Sequence, residues 1–239
     1  MPLFRDAGLT FIHIPKTAGT SIEHALGLAN DSAIENRDVC FGKISSPDLK
    51  AMEMSSEFLQ HLRLDEMEML YPEFVPSSWI FTVVRDPWHR LLSSYRRKDR
   101  AMADFARWRH GIEIDSLNLP QYVELAATHD LVHLRPQVTF LRGSTSPNIF
   151  YFEHLPLLME ALSERLGQSV KLPKTNAAVS SVQPLAPRLE ARLKRRVAEI
   201  YAEDYERFYP QQQIPEPEPG ISGLIRDLRF SLAPLFGRR

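Results

Sequence analysis

The sequence has very little cysteine and no long apolar run, and both scarcities narrow the class of protein. Cys40 is the only cysteine among 239 residues, so the chain can form no internal disulfide and has no Cys-x-x-Cys metal or redox motif. No stretch approaches the roughly 18 apolar residues that suggest a membrane-spanning helix. Arg5 and Asp6 interrupt the apolar N-terminal segment, so we expect no signal peptide and a cytoplasmic protein.

An excess of charge of one sign is also missing. The 29 Lys and Arg residues nearly balance the 30 Asp and Glu residues, which gives a formal net charge of −1. The overall charge therefore gives no indication of a nucleic-acid partner, and an anion site would need local placement of basic side chains. The length of 239 residues suits one sizeable domain with a real core.

Short strand patterns alternate with helix patterns along the chain. Runs rich in β-branched and aromatic residues predict strands at residues 10–14, 79–84 and 148–152. Amphipathic or capped segments predict helices at residues 21–28, 46–53, 87 to about 106, 120–128, 155–166 and 187–208. This alternation predicts an α/β fold with a small parallel sheet and helices on both faces. A further strand could lie within residues 30–45.

The C-terminal segment differs in composition from the rest. We expect one domain over residues 1–210, followed by a Pro/Glu linker, QQQIPEPEPG, at residues 211–220. Residues 221–239 could form a short basic amphipathic helix. Such a tail could bind weakly to a membrane surface or a partner, pack back on the domain, or stay partly disordered.

The first chemical motif is FIHIPKTAGTS, residues 11–21. A strand that turns tightly into a helix directs backbone N–H groups at one spot, as in phosphate-binding loops. Gly19 allows a close approach of the backbone, Thr17, Thr20 and Ser21 offer hydroxyl groups, and Lys16 adds a positive charge. The P-loop pattern GxxxxGK(S/T) is absent, and an ordinary strand–turn–helix junction would look similar.

The second motif is TVVRDPWHRLLSSYRR, residues 82–97. Arg85 follows a predicted strand, where ligands bind in open α/β sheets. Ser93 lies about two turns into the next helix and could bind the same anion as Arg85. Alternatively, Arg90, Arg96 and Arg97 form a solvated basic face and Ser93 is incidental.

Together the two motifs resemble those of sulfotransferases that depend on 3′-phosphoadenosine 5′-phosphosulfate (PAPS), in particular the carbohydrate branch with Golgi-type and bacterial members. The family's PKT-type loop matches PKTAGTS at residues 15–21, and its RDPxxRxxSxY-like segment matches RDPWHRLLSSY at residues 85–95. Weaker similarities are HLRPQ at residues 133–137, YFEHL at residues 151–155, and Asn176. The resemblance covers about residues 10–209 and implies a P-loop-like three-layer sandwich.

The resemblance also implies a role for each matching residue. The 5′-phosphosulfate would bind to Lys16, Thr17, Ala18, Gly19, Thr20 and Ser21. The 3′-phosphate would bind to Arg85 and Ser93, with Lys174 covering it unless residues 171–176 form a plain surface loop. Lys16 is further expected to be catalytic, because it can neutralise charge on the departing oxygen. We expect no metal, since the transferred group carries less charge than a phosphoryl group.

An acceptor hydroxyl also needs a general base, usually His or Glu. Several family members carry a histidine between the two motifs, whereas Lys43 stands in the matching stretch FGKISSPDLK and could contact a sulfated or acidic acceptor. We therefore predict His133 or His61 as the catalytic base and favour His133. Other options are His24, Glu23 and Glu73, whereas His13 is expected to point into the sheet.

These features predict transfer of a sulfuryl group from PAPS to a hydroxyl of an acceptor, with a carbohydrate as the favoured acceptor. One alternative is a P-loop-type nucleotide kinase or other phosphotransferase, which should carry GK(S/T) and a magnesium-binding acid. Another is a non-catalytic PAPS-binding protein. The irregular segments at residues 30–75 and 107–147 give no indication of which acceptor is used.

Overall fold

The structure is a computed structural model that describes residues 2–28, 32–173 and 185–216. These residues form two compact units. Unit 1 contains the described residues up to 86 together with 136–173, and unit 2 contains residues 87–135 and 185–216. The predicted basic tail segment, residues 221–239, lies outside the described residues, so its division from a domain over residues 1–210 stays a prediction.

Unit 1 contains a mixed sheet. Within the described residues its four strands are ordered β1 (Leu3–Phe4), β2 (Leu9–Ile12), β3 (Trp79–Val84) and β4 (Asn148–Tyr151). Strands β2, β3 and β4 are parallel, and β1 pairs antiparallel with β2 at the edge. The α/β prediction is confirmed. The additional strand is β1; of the predicted segment at residues 30–45, the described residues 32–45 contain no strand of the sheet, and Asn36 and Phe41 form an isolated bridge there.

Helices follow each parallel strand. In the described part of the chain they are α1 (Gly19–Ala25), α2 (Pro47–Ala51), α3 (Leu64–Leu70), α4 (Pro87–Arg97), α5 (Arg100–His110), α6 (Leu119–Thr128), α7 (Gln137–Phe140), α8 (Leu155–Leu166), α9 (Pro187–Ile200) and α10 (Ala202–Phe208). Short 3₁₀ turns lie at Arg5–Ala7, Leu59–His61, Ile114–Ser116, Val132–Leu134 and Phe152–His154. No helix in these described ranges is long and apolar enough to span a membrane.

One hydrophobic cluster of unit 1 lies on one face of its sheet. Because side chains alternate along a strand, Leu9 and Phe11 of β2 share a face with Phe81 and Val83 of β3. Ile22 of α1 and Leu158 and Leu162 of α8 pack against them. This burial fixes the ends of β2 and β3 relative to α1, and the loop between β2 and α1 is therefore held at both sides.

Two helices that the sequence predicts as continuous are broken. The helix predicted from residue 87 to about 106 stops at Arg97, because Lys98 has a φ of 39° and Asp99 caps α5 by accepting from the Ala101 N–H at 3.2 Å. The helix predicted at 187–208 is interrupted at Tyr201, whose φ is −111°. The buried Tyr201 hydroxyl donates to the Leu134 carbonyl at 2.7 Å, a long-range contact that local patterns do not reveal.

Candidate functional site

The carboxyl ends of the three parallel strands meet at one edge of the sheet in unit 1. Ile12 of β2 lies opposite Thr82 of β3, and Val84 of β3 lies opposite Tyr151 of β4. The next residues along the chain are the loop at residues 13–18, then Arg85, and then the turn Phe152–His154. Ligands of open α/β sheets bind outside this edge, so the two sequence motifs share a favourable location.

The loop before α1 has an unusual backbone. Lys16 and Ala18 have φ values of 73° and 74°, in the left-handed region that residues with a side chain seldom adopt. The hydroxyl of Thr17, which is fully buried, donates to the Ile14 carbonyl at 2.8 Å. Alternation of left-handed residues with ordinary ones forms concave groups of N–H donors that suit anions. The Thr17 hydroxyl proton holds the loop together, so an anion would be bound through N–H groups and Lys16.

Gly19 lies directly against the ring of His13. A Cβ atom at Gly19 would lie 2.0 Å from His13 Nε2, so a side chain here would require the His13 ring or the loop to move. On its other side, His13 Nδ1 donates to Glu23 Oε1 at 2.5 Å, and both side chains are buried. The glycine therefore admits the His13 ring beneath the loop, and the His13–Glu23 pair connects the strand end to α1.

The Glu23 carboxyl is held in its charged form. Burial by itself raises the pKa of Glu23, but the charge and the hydrogen bond of His13 outweigh burial. The result is a pKa below the ordinary value of 4.5. A charged Glu23 and its His13 partner are thus a buried pair, whose disruption would leave one polar group without compensation.

Arg85 is connected to the loop through its side chain. Its Nη1 donates to the Lys16 carbonyl at 3.2 Å, and its guanidinium carbon lies 3.9 Å from the centre of the Phe152 ring. Stacking on an aromatic face is a favoured arrangement for arginine. The two cationic residues singled out by the sequence, Lys16 and Arg85, therefore belong to the same edge of unit 1.

The backbone around Arg85 is held by side chains from elsewhere in unit 1. Gln137 Oε1 accepts from the Arg85 N–H at 2.9 Å, and Gln137 Nε2 donates to the Arg85 carbonyl at 2.9 Å. The next N–H, that of Asp86, donates to Glu153 Oε1 at 3.2 Å. The ladder between β3 and β4 ends at Val84, and these side chains continue its hydrogen bonding beyond that point.

His61 lies next to His13. Its Nδ1 is 3.2 Å from the His13 carbonyl oxygen, and the two rings meet edge to face at a centroid distance of 4.7 Å. A carbonyl only accepts, so His61 Nδ1 must carry the hydrogen. In the neutral ring the lone pair then resides on Nε2, as a general base requires. The side chain is largely buried, since His61 is 8% exposed.

His133 and Ser93 belong to unit 2, and both are half-buried. Arg90, also in unit 2, is 2% exposed and donates to two backbone carbonyls, one of which is that of His133 at 3.3 Å. The alternative that places Arg90 on a solvated face is therefore wrong, although Arg96 and Arg97 are exposed. The roles predicted for Ser93 and His133 stay predictions.

The other candidates are more exposed. Thr20 is exposed and Ser21 is half-buried at the start of α1. Lys43 is exposed and forms an ion pair with Glu57 at 3.4 Å. His24 and Glu73 are exposed. Lys174 and Asn176 lie outside the described residues.

The sequence does not predict three contacts at this edge. They are the two hydrogen bonds of Gln137 to the Arg85 backbone, the His13–Glu23 pair, and the stacking of Arg85 on the Phe152 ring. Gln137 is the last residue of the quoted segment HLRPQ, yet nothing local indicates which backbone it binds. His13 follows Phe11 by two residues, so it shares the core-facing side of that strand. Glu23 follows the apolar Ile22 on the same short helix. That position was the one feature of the sequence that could have indicated the His13–Glu23 pair.

Comparison with known proteins identifies the family. A family model described as the sulfotransferase family matches residues 3–210, which include the loop and Arg85. Neither a curated protein nor a solved structure matches the chain at a significant level. No group of three or more His, Cys, Asp or Glu that could hold a metal ion occurs in the described ranges. From the extent of the family match, the chain belongs to the sulfotransferase family and is an enzyme of sulfuryl transfer to a hydroxyl-bearing acceptor.

Proposed function

We propose that this sulfotransferase uses PAPS as its donor and a carbohydrate hydroxyl as its acceptor. The observation that carries the proposal is the 3.2 Å hydrogen bond from Arg85 Nη1 to the Lys16 carbonyl. It supports a single anion-binding edge supplied by the loop and by Arg85. A nucleotide with charged groups at both its 5′ and 3′ positions needs such paired cationic positions.

The two cations have different tasks in this proposal. Lys16 lies in the strained loop, where N–H donors and its ammonium group would bind the 5′-phosphosulfate. Arg85 would bind the 3′-phosphate through charge-assisted hydrogen bonds, for which the planar guanidinium is well suited. Binding at the 3′ position contributes no chemistry itself but holds the sulfur atom in place for attack.

The transfer breaks one S–O bond and forms another. The acceptor oxygen attacks sulfur while the bond to the bridging oxygen of the nucleotide breaks, in line with the attack. Adenosine 3′,5′-bisphosphate leaves with the electron pair, and Lys16 neutralises the charge that develops on its 5′-phosphate. The acceptor hydroxyl proton passes to a general base.

We favour His61 as that base. It belongs to the same unit as Lys16, and its Nδ1–H···O=C bond to His13 leaves the lone pair on Nε2. His133 is the second candidate and lies in unit 2. The carbohydrate acceptor is supported by the resemblance of the two motifs to the carbohydrate branch of the family.

Ligand-induced melting tests the donor. Adenosine 3′,5′-bisphosphate should raise the melting temperature more than ATP with magnesium does at equal concentration, because only the bisphosphate has both anionic ends. AMP, which lacks the 3′-phosphate, is the matched control and should have a smaller effect. Equal stabilisation by ATP with magnesium would favour a phosphotransferase site and contradict the PAPS proposal.

A further inference from the structure

We propose that Gln137 is a positioning residue of the donor site, which acts by holding the backbone of Arg85. The inference rests on the proposed function, in which Arg85 binds the 3′-phosphate. Gln137 is fully buried and does not need to touch the donor for this role. Its effect on the donor would be transmitted through Arg85, whose N–H and C=O it binds.

Both polar groups of the Gln137 side chain bind one residue. Oε1 accepts from the Arg85 N–H, and Nε2 donates to the Arg85 carbonyl, each at 2.9 Å. A pair of bonds to the N–H and C=O of the same residue imitates the pairing that a neighbouring strand makes. The amide therefore fixes the peptide groups on both sides of the Arg85 Cα.

This position needs such support because the chain changes conformation there. The β3–β4 ladder ends with Val84 opposite Tyr151, and α4 begins at Pro87. Proline restricts the preceding Asp86 to extended backbone, and the Asp86 N–H is bound by Glu153. Arg85 lies between these two restraints, and Gln137 supplies the hydrogen bonds that the strand ladder no longer provides.

The fixed backbone determines where the guanidinium lies. The Arg85 side chain extends between the Phe152 ring, 3.9 Å away, and the Lys16 carbonyl, 3.2 Å away. A shift of about 1 Å in a positioning group is enough to lower activity strongly. Release of the Arg85 backbone would therefore displace the cation from the loop and weaken binding of the nucleotide's 3′ end.

Gln137→Met tests this role, since methionine has a similar volume but neither polar group. We expect affinity for adenosine 3′,5′-bisphosphate, measured by titration calorimetry, to fall about tenfold, with little change for AMP. The matched control is Gln121→Met. Gln121 lies in unit 2, where its side-chain Oε1 accepts from the Asn118 N–H at 3.0 Å in the cap of α6, and its loss should lower only the melting temperature.

Measurements in an Arg85→Ala background distinguish positioning of the Arg85 guanidinium by Gln137 from a general contribution of Gln137 to the stability of the fold. Alanine keeps the N–H and C=O groups that Gln137 binds, but removes the guanidinium. In that background Gln137→Met should still lower the melting temperature, yet leave bisphosphate affinity unchanged. An equal loss of affinity in both backgrounds would show that Gln137 does not act through Arg85 and would overturn the inference.

A milder variant covers the case in which Gln137→Met does not fold. Gln137→Asn keeps the amide but is one methylene too short to make both bonds. We expect it to lower bisphosphate affinity when Arg85 is present, and to leave that affinity unchanged in the Arg85→Ala background. If Arg85→Ala alone leaves bisphosphate affinity intact, the proposed function fails and the inference with it. If Arg85→Ala weakens binding but neither Gln137 variant does, only the inference fails.

Discussion

The His13 ring fills the space in which a side chain at residue 19 would begin, with Nε2 2.0 Å from the position of a Cβ on Gly19. The same ring bonds to Glu23 of α1 and contacts His61 edge to face. One buried imidazole thus connects the strand end, the loop, the first helix and the favoured base. The shape of the loop at residues 13–18 depends on this contact.

The first prediction concerns that contact. Gly19→Ala should reduce stability by about 1–3 kcal/mol, as overpacking does, and should reduce turnover as the loop moves. In a His13→Ala background the added methyl group has room, so Gly19→Ala should lower the free energy of unfolding much less there. Urea unfolding of the four proteins of this cycle measures the coupling.

Gly27→Ala is the matched control for this cycle. Gly27 has a φ of 82° and no heavy atom within 4 Å of an added Cβ, so any loss arises from backbone strain. His13→Ala should not relieve that loss. If His13→Ala changes the loss of unfolding free energy equally for Gly19→Ala and Gly27→Ala, contact with the His13 ring is not what excludes a side chain at residue 19.

The second prediction separates the tasks of the two cations. Lys16→Ala should lower turnover by about 10²–10³-fold, a loss typical when a group that stabilises developing charge is removed. Its effect on bisphosphate affinity should be much smaller. Lys43→Ala, which removes an exposed lysine paired with Glu57, is the control and should leave turnover near wild type. Near-normal turnover of Lys16→Ala would remove this residue from the chemical step.

Arg85→Ala should show the opposite behaviour. We expect about a tenfold or greater loss of affinity for adenosine 3′,5′-bisphosphate, because a charge-assisted contact is lost, and little change for AMP. Titration calorimetry with both ligands measures the difference. Equal losses for the two ligands would mean that Arg85 does not recognise the 3′-phosphate.

The third prediction identifies the general base. His61→Ala should lower kcat by about 10²–10⁴-fold, the usual contribution of general base catalysis, while donor affinity stays close to wild type. His133→Ala should have the smaller effect if His61 is the base. His24→Ala, which removes an exposed histidine of α1, is the control. A loss of kcat in His133→Ala but not in His61→Ala would identify His133, in unit 2, as the general base.

The fourth prediction concerns stability at acid pH. The pKa of Glu23 is lowered in the folded protein from an ordinary value of 4.5, so the unfolded chain takes up its proton first as the pH falls. The stabilisation by the charged Glu23 is therefore full above that value and is lost as the pH falls through the folded pKa. Glu23→Gln should be less stable than wild type at pH 7.

That difference in the free energy of unfolding should shrink between pH 7 and pH 3, as measured with urea. Glu73→Gln, at an exposed position, is the control and should track wild type at both values. A difference for Glu23→Gln that stays constant over the range would show that charge on Glu23 does not support the fold.

The sequence reveals the parts of the fold that local patterns determine. The sequence predicts strand β3 with its observed bounds, because its run of β-branched and aromatic residues is followed by Arg85 and then by Asp86-Pro87, where a helix begins. The sequence likewise predicts helix α8 in full, because a glycine follows its amphipathic pattern; in the structure Gly167 ends the helix with a φ of 64°. Strand β1 has only two residues, too short for any periodicity, and the interruption at Tyr201 depends on a hydrogen bond to Leu134.

In the candidate site, too, local sequence indicates some residues, whereas other contacts depend on the folded chain. The sequence predicts Lys16 and Arg85 as site residues because each lies in a motif after a predicted strand, and the structure brings both to one edge of unit 1. It does not predict the contact of Gln137, because its partner Arg85 is 52 residues away and only the folded sheet brings them together. His13 was expected to point into the sheet; its buried pairing with Glu23 is a detail that requires the position of α1.

Transfer of labelled sulfate from PAPS to an acceptor is the direct test of the proposed activity. Wild-type protein is incubated with labelled PAPS and a panel of glycans, phenols, lipids and peptides, in parallel with Lys16→Ala at the same concentration of folded protein. We expect label on a glycan hydroxyl with wild type and about a hundredfold less with Lys16→Ala. Label on no acceptor of the panel, or equal transfer by the two proteins, would rule out sulfuryl transfer from PAPS assisted by Lys16.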